Sequence, residues 1–337
     1  MAQDHPGFWA IIVTGGALLS AALILLLKPL LDRYFLAEPN ARSSHSVATP
    51  QGAGLAVMLS LLIVCVSALL LNPPWQPPSL FPVLAGAVFL AALGAFDDLH
   101  GIAVSWRFIG QFLAALVIVF GLPQDFQLFS DILPLMLERG LLVLAIVWFI
   151  NAVNFLDGLD WMTLAQVVPM TLGVFALEAF DEVPDSIALL ALALLGAILG
   201  FAPFNKHPAK VFLGDAGSLP IGLCLAFMLI FVAKAHFVSA LLLALYTVTD
   251  ATLTLIRRIV AGEPILSAHR THYYQRATAQ GLSVPQVTQR IFLHGLLLAG
   301  LAVTSAVADS LRADLICLAV GAFLTGIVLR GLARGTQ

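Results

Sequence analysis

The sequence predicts an all-α integral membrane protein, with about eleven transmembrane helices in a single domain that spans residues 1–337. Sixty per cent of the residues are hydrophobic and 10% are charged, which excludes an ordinary soluble domain. The hydrophobic runs are apolar on all sides, whereas the strands of a membrane barrel alternate between apolar and polar residues. Helices are therefore expected rather than barrel strands.

Eleven apolar runs mark the predicted helices, and most contain 17 to 23 residues. A helix of that length crosses about 30 Å of hydrocarbon at about 1.5 Å per residue. The longest polar segment, 257–285, is predicted to be a cytoplasmic loop. The apolar runs lie near residues 8–28, 52–71, 80–96, 104–121, 134–150, 161–180, 186–204, 216–233, 236–256, 287–307 and 313–330.

The distribution of Lys and Arg orients these helices. If the N-terminus is periplasmic, thirteen of the sixteen basic residues fall on the inner side, and only Arg139, Lys234 and Arg312 fall outside. The positive-inside rule favours this arrangement. The inner segments also contain most of the histidines and polar amides, so the function is expected at the cytoplasmic face.

Five aspartates lie in three short polar breaks on the predicted inner side. They are Asp97, Asp98, Asp157, Asp160 and Asp215. A carboxylate near the core of a bilayer costs a few kcal/mol at least. Clustered carboxylates beside Asn and Gly-rich turns are suited to holding a hard divalent cation against a phosphate.

The Asp97-Asp98 pair joins the third and fourth predicted helices. A solvated turn would explain an isolated Asp-Asp pair. Arg107 and Gln111 follow in the next helix, where their spacing of four residues places them on one face. Arg107 could neutralise a phosphate, and Gln111 could fix its orientation.

The run NAVNFLDGLD carries four polar side chains at intervals of three residues: Asn151, Asn154, Asp157 and Asp160. This spacing places them on one helical face, although Gly158 is expected to break the turn. A capping role would explain one such residue, for example Asp160 at a helix N-cap. It does not explain four.

The run FLGDAGS places Asp215 between two glycines at the start of the eighth predicted helix. Gly214 and Gly217 would allow the backbone to approach a ligand closely. A helix N-terminus favours anions, and a carboxylate there could hold a cation that in turn holds the anion. An N-cap role would explain Asp215 but not both glycines. The phosphate-binding pattern G-x-x-x-x-G-K-[ST] is absent.

The long inner loop contains Arg257, Arg258, His269 and His272. The two histidines are a weak zinc signal without Cys or carboxylate partners at the proper spacing. With arginines nearby they suit phosphate or sugar binding, and a basic loop at the membrane surface is the alternative. Asp250, two turns before Arg257, could pair locally or face the cavity.

The order of these motifs resembles the polyprenyl-phosphate N-acetylhexosamine-1-phosphate transferases. That family includes the translocase that begins the peptidoglycan lipid cycle and the enzymes that begin O-antigen synthesis. The resemblance extends over residues 42 to 276. The matching stretches are RSSHSVATPQGAG (42–54), DD (97–98) with Arg107 and Gln111, NAVNFLDGLD (151–160), FNKHPAKVFLGDAGS (204–218), Asp250 with Arg257 and Arg258, and AHRTHYYQR (268–276).

The resemblance implies a reaction and its participants. A UDP-N-acetylhexosamine would give its sugar-1-phosphate to undecaprenyl phosphate, UMP would leave, and Mg²⁺ would be the cofactor. The site would face the cytoplasm from a bacterial inner membrane and serve O-antigen or lipopolysaccharide biosynthesis. Membrane lipid is an expected partner, nucleic acid is not, and a homodimer is one oligomeric state that the resemblance allows.

The resemblance also implies roles for individual residues. Asp215 and Asn154 resemble metal ligands, and Asp97 and Asp98 resemble the catalytic pair. Asp157 resembles the residue that holds uracil, and Phe212 the ring that stacks on it. The remaining implied substrate-binding residues are Asn151, Asn154, Asp160, Asn205, Arg107, His269, Arg270 and His272.

Three positions depart from the family pattern. Trp161 follows Asp160 where a glycine is usual, and it is expected to narrow the site or to move the turn, which puts the role of Asp160 in doubt. Gln51 and Ala53 stand where Arg and Gly are common. The sequence AHRTHY is similar to members that act on simple or deoxygenated UDP-N-acetylhexosamines and speaks against the muramyl-pentapeptide translocase.

Two other hypotheses remain open from the sequence. An ion-coupled transporter could use embedded acids as a cation path, but it would place them near the middle of the membrane on broken helices, with an internal repeat. No such repeat is evident, and the acids collect at inner helix ends. A family member that has lost its activity is the other alternative, and Trp161 makes it conceivable.

Overall fold

A computed structural model describes residues 6–37, 48–71, 80–130, 132–180, 182–264 and 269–335. These residues form twelve helices and two short strands. In chain order they are α1 (Pro6–Tyr34), β1 (Leu36–Ala37), β2 (Thr49–Pro50), α2 (Gly54–Leu71), α3 (Leu80–His100), α4 (Val104–Gly121), α5 (Leu135–Phe155), α6 (Met162–Glu178), α7 (Asp185–Phe201), α8 (Asp215–Ala235), α9 (Phe237–Val260), α10 (Tyr273–Ala279), α11 (Val284–Ala308) and α12 (Leu311–Arg334).

The prediction of an all-α polytopic membrane protein is confirmed. Nine helices in the described residues are long and apolar enough to cross a membrane, and α6 and α7 are shorter apolar helices. Each of the eleven predicted apolar runs coincides with one helix. The number of membrane crossings and the side of the N-terminus remain predictions.

Helix α8 lies at the centre of the bundle. In its most hydrophobic 18-residue window, 89% of the residues are buried, compared with 22% in α1. Helices α3 and α5 pack along α8, and α1 packs against α7. A helix that is apolar on all sides can be enclosed in this way because no face needs water.

Backbone-to-backbone contacts fix the first turn of α8. A Cβ atom on Gly94 of α3 would lie 2.2 Å from the carbonyl oxygen of Asp215. A Cβ atom on Gly54, the first residue of α2, would lie 2.2 Å from the backbone nitrogen of Gly217. Only glycine allows main chains to approach so closely, so α2 and α3 together determine where α8 begins.

Two small elements were not predicted from the sequence. The strands β1 and β2 form an antiparallel pair in the register Leu36↔Pro50 and Ala37↔Thr49. The last residue of β2 also bonds to the segment before α8, where the Phe212 amide donates to the Pro50 carbonyl over 2.8 Å. Helix α10 lies within the predicted loop 257–285, and residues 42–47, 72–79 and 265–268 lie outside the described residues.

Candidate active site

Four helix ends meet at one end of the bundle: the last turns of α3 and α5 and the first turns of α4 and α8. Arg107 of α4 stands between two carboxylates there. Its Nη1 atom lies 3.1 Å from Asp97 Oδ2 and 3.0 Å from Asp215 Oδ2. Asn154 of α5 donates from Nδ2 to Asp215 Oδ1 over 2.7 Å. We call Asp97, Asp98, Asp157 and Asp215 the carboxylate cluster.

Asp98 is engaged with the backbone of α8. Its Oδ1 and Oδ2 atoms accept hydrogen bonds from the amides of Asp215 and Ala216, each at 3.1 Å. Gly214 precedes this turn with φ of 75°, and a Cβ atom there would lie 2.4 Å from Asp98 Oδ2. The first amides of a helix have no intrahelical acceptor, and its N-terminus is positive. Asp98 therefore caps α8 from a neighbouring helix and positions Asp215.

Asp157 lies in the turn after α5, close to the other acids. The Thr163 hydroxyl donates a hydrogen bond to Asp157 Oδ1. Burial, together with repulsion by Asp215 and Asp98 and against the opposing Thr163 hydrogen bond, raises the pKa of Asp157 to about 8. This carboxyl group therefore keeps its proton to a higher pH than an ordinary aspartate.

Ser218 is a member of the site that the sequence reasoning missed. Asn154 Nδ2 donates to Ser218 Oγ over 2.8 Å as well as to Asp215. Ser218 follows Asp215 by three residues on α8, so both face the same side of the helix. That spacing was the available signal. Asn154 thus ties α5 to two residues of the first turn of α8.

Asn151 lies one turn above Asn154, and its hydrogen bonds lead to another helix. Its Nδ2 atom donates to Gln111 Oε1 over 2.5 Å and to the Val147 carbonyl over 2.7 Å. Both amide side chains are buried. A buried amide pair that satisfies itself joins α4 to α5. Asn151 and Gln111 lie one turn from Asn154 and Arg107 on the same two helices. Their hydrogen bond therefore holds α4 and α5 together next to the site.

Asp160 and Asn205 join two loops at the same end of the bundle. Asp160 Oδ2 lies 2.6 Å from His207 Nδ1 and accepts from the Ala209 amide over 3.1 Å. Asn205 Oδ1 accepts from the Trp161 amide over 2.7 Å. These contacts hold the turn after α5 against the segment before α8, so both residues have roles in shaping the site.

Trp161 adopts the left-handed conformation, with φ of 62° and ψ of 7°. Glycine reaches this region without steric cost, whereas a tryptophan is strained there. The indole Nε1 atom donates to the Ala202 carbonyl over 2.7 Å. The ring is therefore fixed on the segment after α7, and the turn keeps a conformation that glycine would adopt.

Phe212 is half-buried and lies in the segment that leads into α8. Its amide donates to Pro50, and its carbonyl accepts from Ala53 over 3.1 Å. The following residue, Leu213, accepts from the Gly54 amide over 2.9 Å. Main-chain bonds on both sides therefore hold the Phe212 ring near the start of α8.

The segment 269–273 carries the remaining predicted residues. His272 is buried, with its ring 4.9 Å from that of His269 and 5.8 Å from that of Phe155. Burial, together with repulsion by His272 and nearby arginines, lowers the pKa of His269 to about 4. His269 is thus neutral at pH 7, while Arg270 beside it is exposed.

Asp250 anchors this segment through hydrogen bonds from residues of α9 and from the start of α10. It is completely buried on α9. Its Oδ1 atom accepts from the Tyr273 amide over 3.0 Å and from Thr254 Oγ1 over 3.3 Å, and Tyr246 donates to Oδ2 over 3.1 Å. His272 Nδ1 lies 3.5 Å from the same carboxylate. Asp250 thereby fixes the chain that leads from His269 and His272 into α10.

Comparison with known proteins points to one family. A protein of Bacillus subtilis (strain 168) described as "Probable undecaprenyl-phosphate N-acetylglucosaminyl 1-phosphate transferase" is 29% identical over 297 residues, which are 82% of this chain and 80% of that protein. The family model described as glycosyl transferase family 4 matches residues 80–233, which include the whole carboxylate cluster. The central part of this chain is therefore similar to glycosyl transferase family 4.

Other similar proteins differ in the polyprenyl carrier or in the sugar that their names give. A decaprenyl-phosphate N-acetylglucosaminephosphotransferase of Mycobacterium leprae is 28% identical over 293 residues, 77% of this chain and 73% of that protein. A phospho-N-acetylmuramoyl-pentapeptide-transferase of Enterococcus hirae is 28% identical over 235 residues, 61% of this chain and 71% of that protein. The resemblance seen in the sequence is thus confirmed at the level of the family.

The cluster suits a magnesium ion that is shared with substrate. Within the described residues no group of three or more His, Cys, Asp or Glu side chains could hold a metal alone. Mg²⁺ is usually bound by one or two carboxylates together with waters and substrate phosphates. Asp97 and Asp215, which converge on the positive charge of Arg107, are such a pair. The donor set of this site therefore fits the ion.

The role of Asp250 can be tested without an activity assay. In Asp250→Ala, the Tyr273 amide and the Tyr246 hydroxyl lose their acceptor, at a cost of roughly 1–3 kcal/mol for each buried donor. Hydrogen exchange of the purified protein should then speed up at least tenfold in peptides that cover 269–279. Thr254→Val removes one donor but keeps the carboxylate and should change exchange little. Equal exchange in Asp250→Ala and wild type would refute the anchoring role.

Proposed function

We propose that this protein transfers N-acetylhexosamine-1-phosphate from a UDP-sugar to undecaprenyl phosphate and releases UMP. The observation that carries the proposal is the meeting of Asp97, Arg107, Asn154 and Asp215 at one end of a membrane bundle. The names of the relatives describe polyprenyl-phosphate acceptors and sugar-1-phosphate transfer. Those names support the reaction class for this chain.

The chemistry brings two anions together. An oxygen of the lipid phosphate forms a bond to the phosphorus that carries the sugar, the bond from that phosphorus to the bridging oxygen breaks, and UMP leaves with that oxygen. Mg²⁺, when bound, supplies positive charge that offsets repulsion between the two reactants and on the leaving group. Asp215 would hold the ion directly, with Asp97 beside it.

Asn154 would help in two ways. As placed, its Nδ2 atom fixes Asp215 Oδ1, and its other amide atom, Oδ1, is the one that could contact a metal. Arg107 now pairs with both Asp97 and Asp215. Its guanidinium would also donate to a substrate phosphate, for which its planar fork is suited.

The rest of the site would bind the donor. Asp157 and Phe212 would hold the uracil, the carboxylate by hydrogen bonding and the ring by stacking. Asp98 and Asn151 would keep the catalytic groups in place through α8 and α4. Residues of two further groups complete the proposed substrate site: Asp160 and Asn205 in the joined loops, and His269, Arg270 and His272 in the segment that covers the sugar and diphosphate.

The proposed setting is the inner membrane of a bacterium, with the site facing the cytoplasm. The excess of Lys and Arg at the end of the bundle that carries the cluster supports that orientation. The product would be the lipid-linked first sugar of O-antigen or of a related cell-surface polysaccharide. A homodimer is compatible with the apolar outer faces of the helices.

The transporter hypothesis is less well supported by the geometry. Asp97, Asp98 and Asp215 lie in terminal helical turns, and Asp157 lies in a turn outside the helices. A proton or cation path would need acids distributed along the depth of the membrane. The clustering at one end favours chemistry at the membrane surface.

A direct assay tests the proposal. Purified protein with undecaprenyl phosphate, Mg²⁺ and a panel of UDP-N-acetylhexosamines should release UMP, and EDTA should stop the release until Mg²⁺ is added back. Release should also depend on the lipid, since UDP-sugar alone would measure hydrolysis. No UMP release from any donor, or release that resists EDTA, would contradict the proposal.

A further inference from the structure

A separate hollow lies between the turn after α5 and the short helix α10. Its volume is about 350 Å³, within the range of about 300–1,000 Å³ that is usual for small-molecule sites. The turn that borders it through Leu159 also carries Asp157 of the carboxylate cluster. The hollow is lined by Leu159, Arg270, Gln275, Thr278, Ala279 and Val284.

The Gln275 amide has a fixed orientation at the edge of this hollow. Its Oε1 atom accepts from the backbone amide of His272 over 3.3 Å at the start of α10. Its Nε2 atom faces the turn after α5, since a Cβ atom on Gly158 would lie 3.3 Å from it. With the oxygen engaged in the helix cap, Gln275 offers N–H donors to a ligand in the hollow.

The other lining groups complete a mixed surface. Thr278 Oγ1 donates to the Gln275 carbonyl over 2.8 Å, which leaves its lone pairs to accept from a ligand hydroxyl. Arg270 contributes a positive charge, and Leu159 and Val284 contribute apolar side chains. None of the six lining residues is aromatic or acidic, so the hollow is not built to stack a nucleobase or to bind a metal.

We propose that this hollow receives the sugar of the nucleotide donor and that Gln275 selects an acetamido group on it. The inference rests on the proposed function, because it assigns part of the donor in that reaction. The acetamido carbonyl accepts from Gln275 Nε2, and its methyl group packs against Leu159 and Val284. A sugar hydroxyl donates to Thr278, and Arg270 lies near the phosphate.

The substitution Gln275→Glu tests this assignment with little structural change. The carboxylate keeps an acceptor for the His272 amide, so the start of α10 is preserved, but the N–H donor is lost. The ratio of kcat/KM for UDP-N-acetylglucosamine to that for UDP-glucose should fall at least tenfold, because only the former donor carries the acetamido group. UMP lacks the sugar, so its inhibition constant should not change.

Two further variants sharpen the result. Gln280→Glu makes the same chemical change at the residue that follows α10, which does not line the hollow. The ratio of kcat/KM for the two donors should keep its wild-type value in this variant. Val284→Phe fills the hollow and should raise the KM of both donors at least tenfold without changing UMP inhibition. Binding of UDP-N-acetylglucosamine, UDP-glucose and UMP is measured by calorimetry for every protein.

The outcomes separate the two proposals. An unchanged donor ratio in Gln275→Glu, or an equal loss for both donors and UMP, would overturn the sugar assignment while leaving transferase activity established. Wild-type protein that binds UDP-N-acetylglucosamine more tightly than UDP-glucose through Gln275, yet releases no UMP, would support the sugar assignment and overturn the transfer reaction.

Discussion

Replacing Asp215 with asparagine should lower the rate of UMP release about a thousandfold, the effect of several kcal/mol of lost charge stabilisation in the transition state. The substitution removes the negative charge that faces the proposed ion and Arg107. Asp215 Oδ1 now accepts from the Asn154 amide, and an asparagine at position 215 could place an N–H group there instead. Activity at saturating donor and a titration with Mn²⁺, followed by electron paramagnetic resonance, measure the two losses.

The matched control for this change is Asp309→Asn. Asp309 is exposed at the end of α11 and has φ of 38°, a conformation that asparagine tolerates well. It should retain wild-type turnover and metal binding. Full activity in Asp215→Asn, or unchanged Mn²⁺ affinity, would remove Asp215 from the metal site.

Replacing Asp98 with asparagine should lower activity about a hundredfold, the size expected when a reacting group shifts by about 1 Å. An asparagine has only one acceptor oxygen, so one of the two α8 amides, of Asp215 or Ala216, would face an N–H group instead. The buried mismatch should also destabilise the protein by roughly 1–3 kcal/mol.

Asp97→Asn provides the contrast for this prediction. Asp97 Oδ1 accepts one backbone amide, that of Ile102 over 2.7 Å, and asparagine keeps an oxygen for it. Asp97→Asn should therefore lose activity with a smaller loss of thermal stability than Asp98→Asn. The same melting temperature in Asp98→Asn and wild type would rule out Asp98 as the cap of α8.

Hydrophobicity predicted the helices well because each apolar run is long and is interrupted by polar residues. It placed several helix ends incorrectly. Asp97 and Asp98 were expected after the third helix but lie within the last turn of α3, and the apolar run 134–150 ended before α5, which continues to Phe155. Polar side chains at a helix end reduce hydropathy without ending the helix, because the backbone bonds continue.

The contacts within the site were harder to predict. The three-residue spacing correctly placed Asn151 and Asn154 on one face of α5, but it could not show that Asn151 pairs with Gln111. The helix ends at Phe155, so the same face does not extend to Asp157. Partners on distant helices depend on packing that a single sequence does not record.

Two local features lay beyond sequence reasoning for other reasons. Helix α10 has only seven residues, too few for a periodic pattern to be visible. The left-handed backbone of Trp161 contradicts the preference of its residue type. Its indole hydrogen bond to Ala202, which offsets part of the strain, joins residues 41 positions apart.

The glycines at positions 54 and 94 have a consequence for inhibitor design. At these positions the backbones of α2 and α3 contact the backbone at the start of α8. A change of side-chain rotamer therefore cannot widen the space between them. A rigid compound that is complementary to this backbone surface would meet the same shape in every molecule of the protein. Potency can accordingly be sought against this backbone surface.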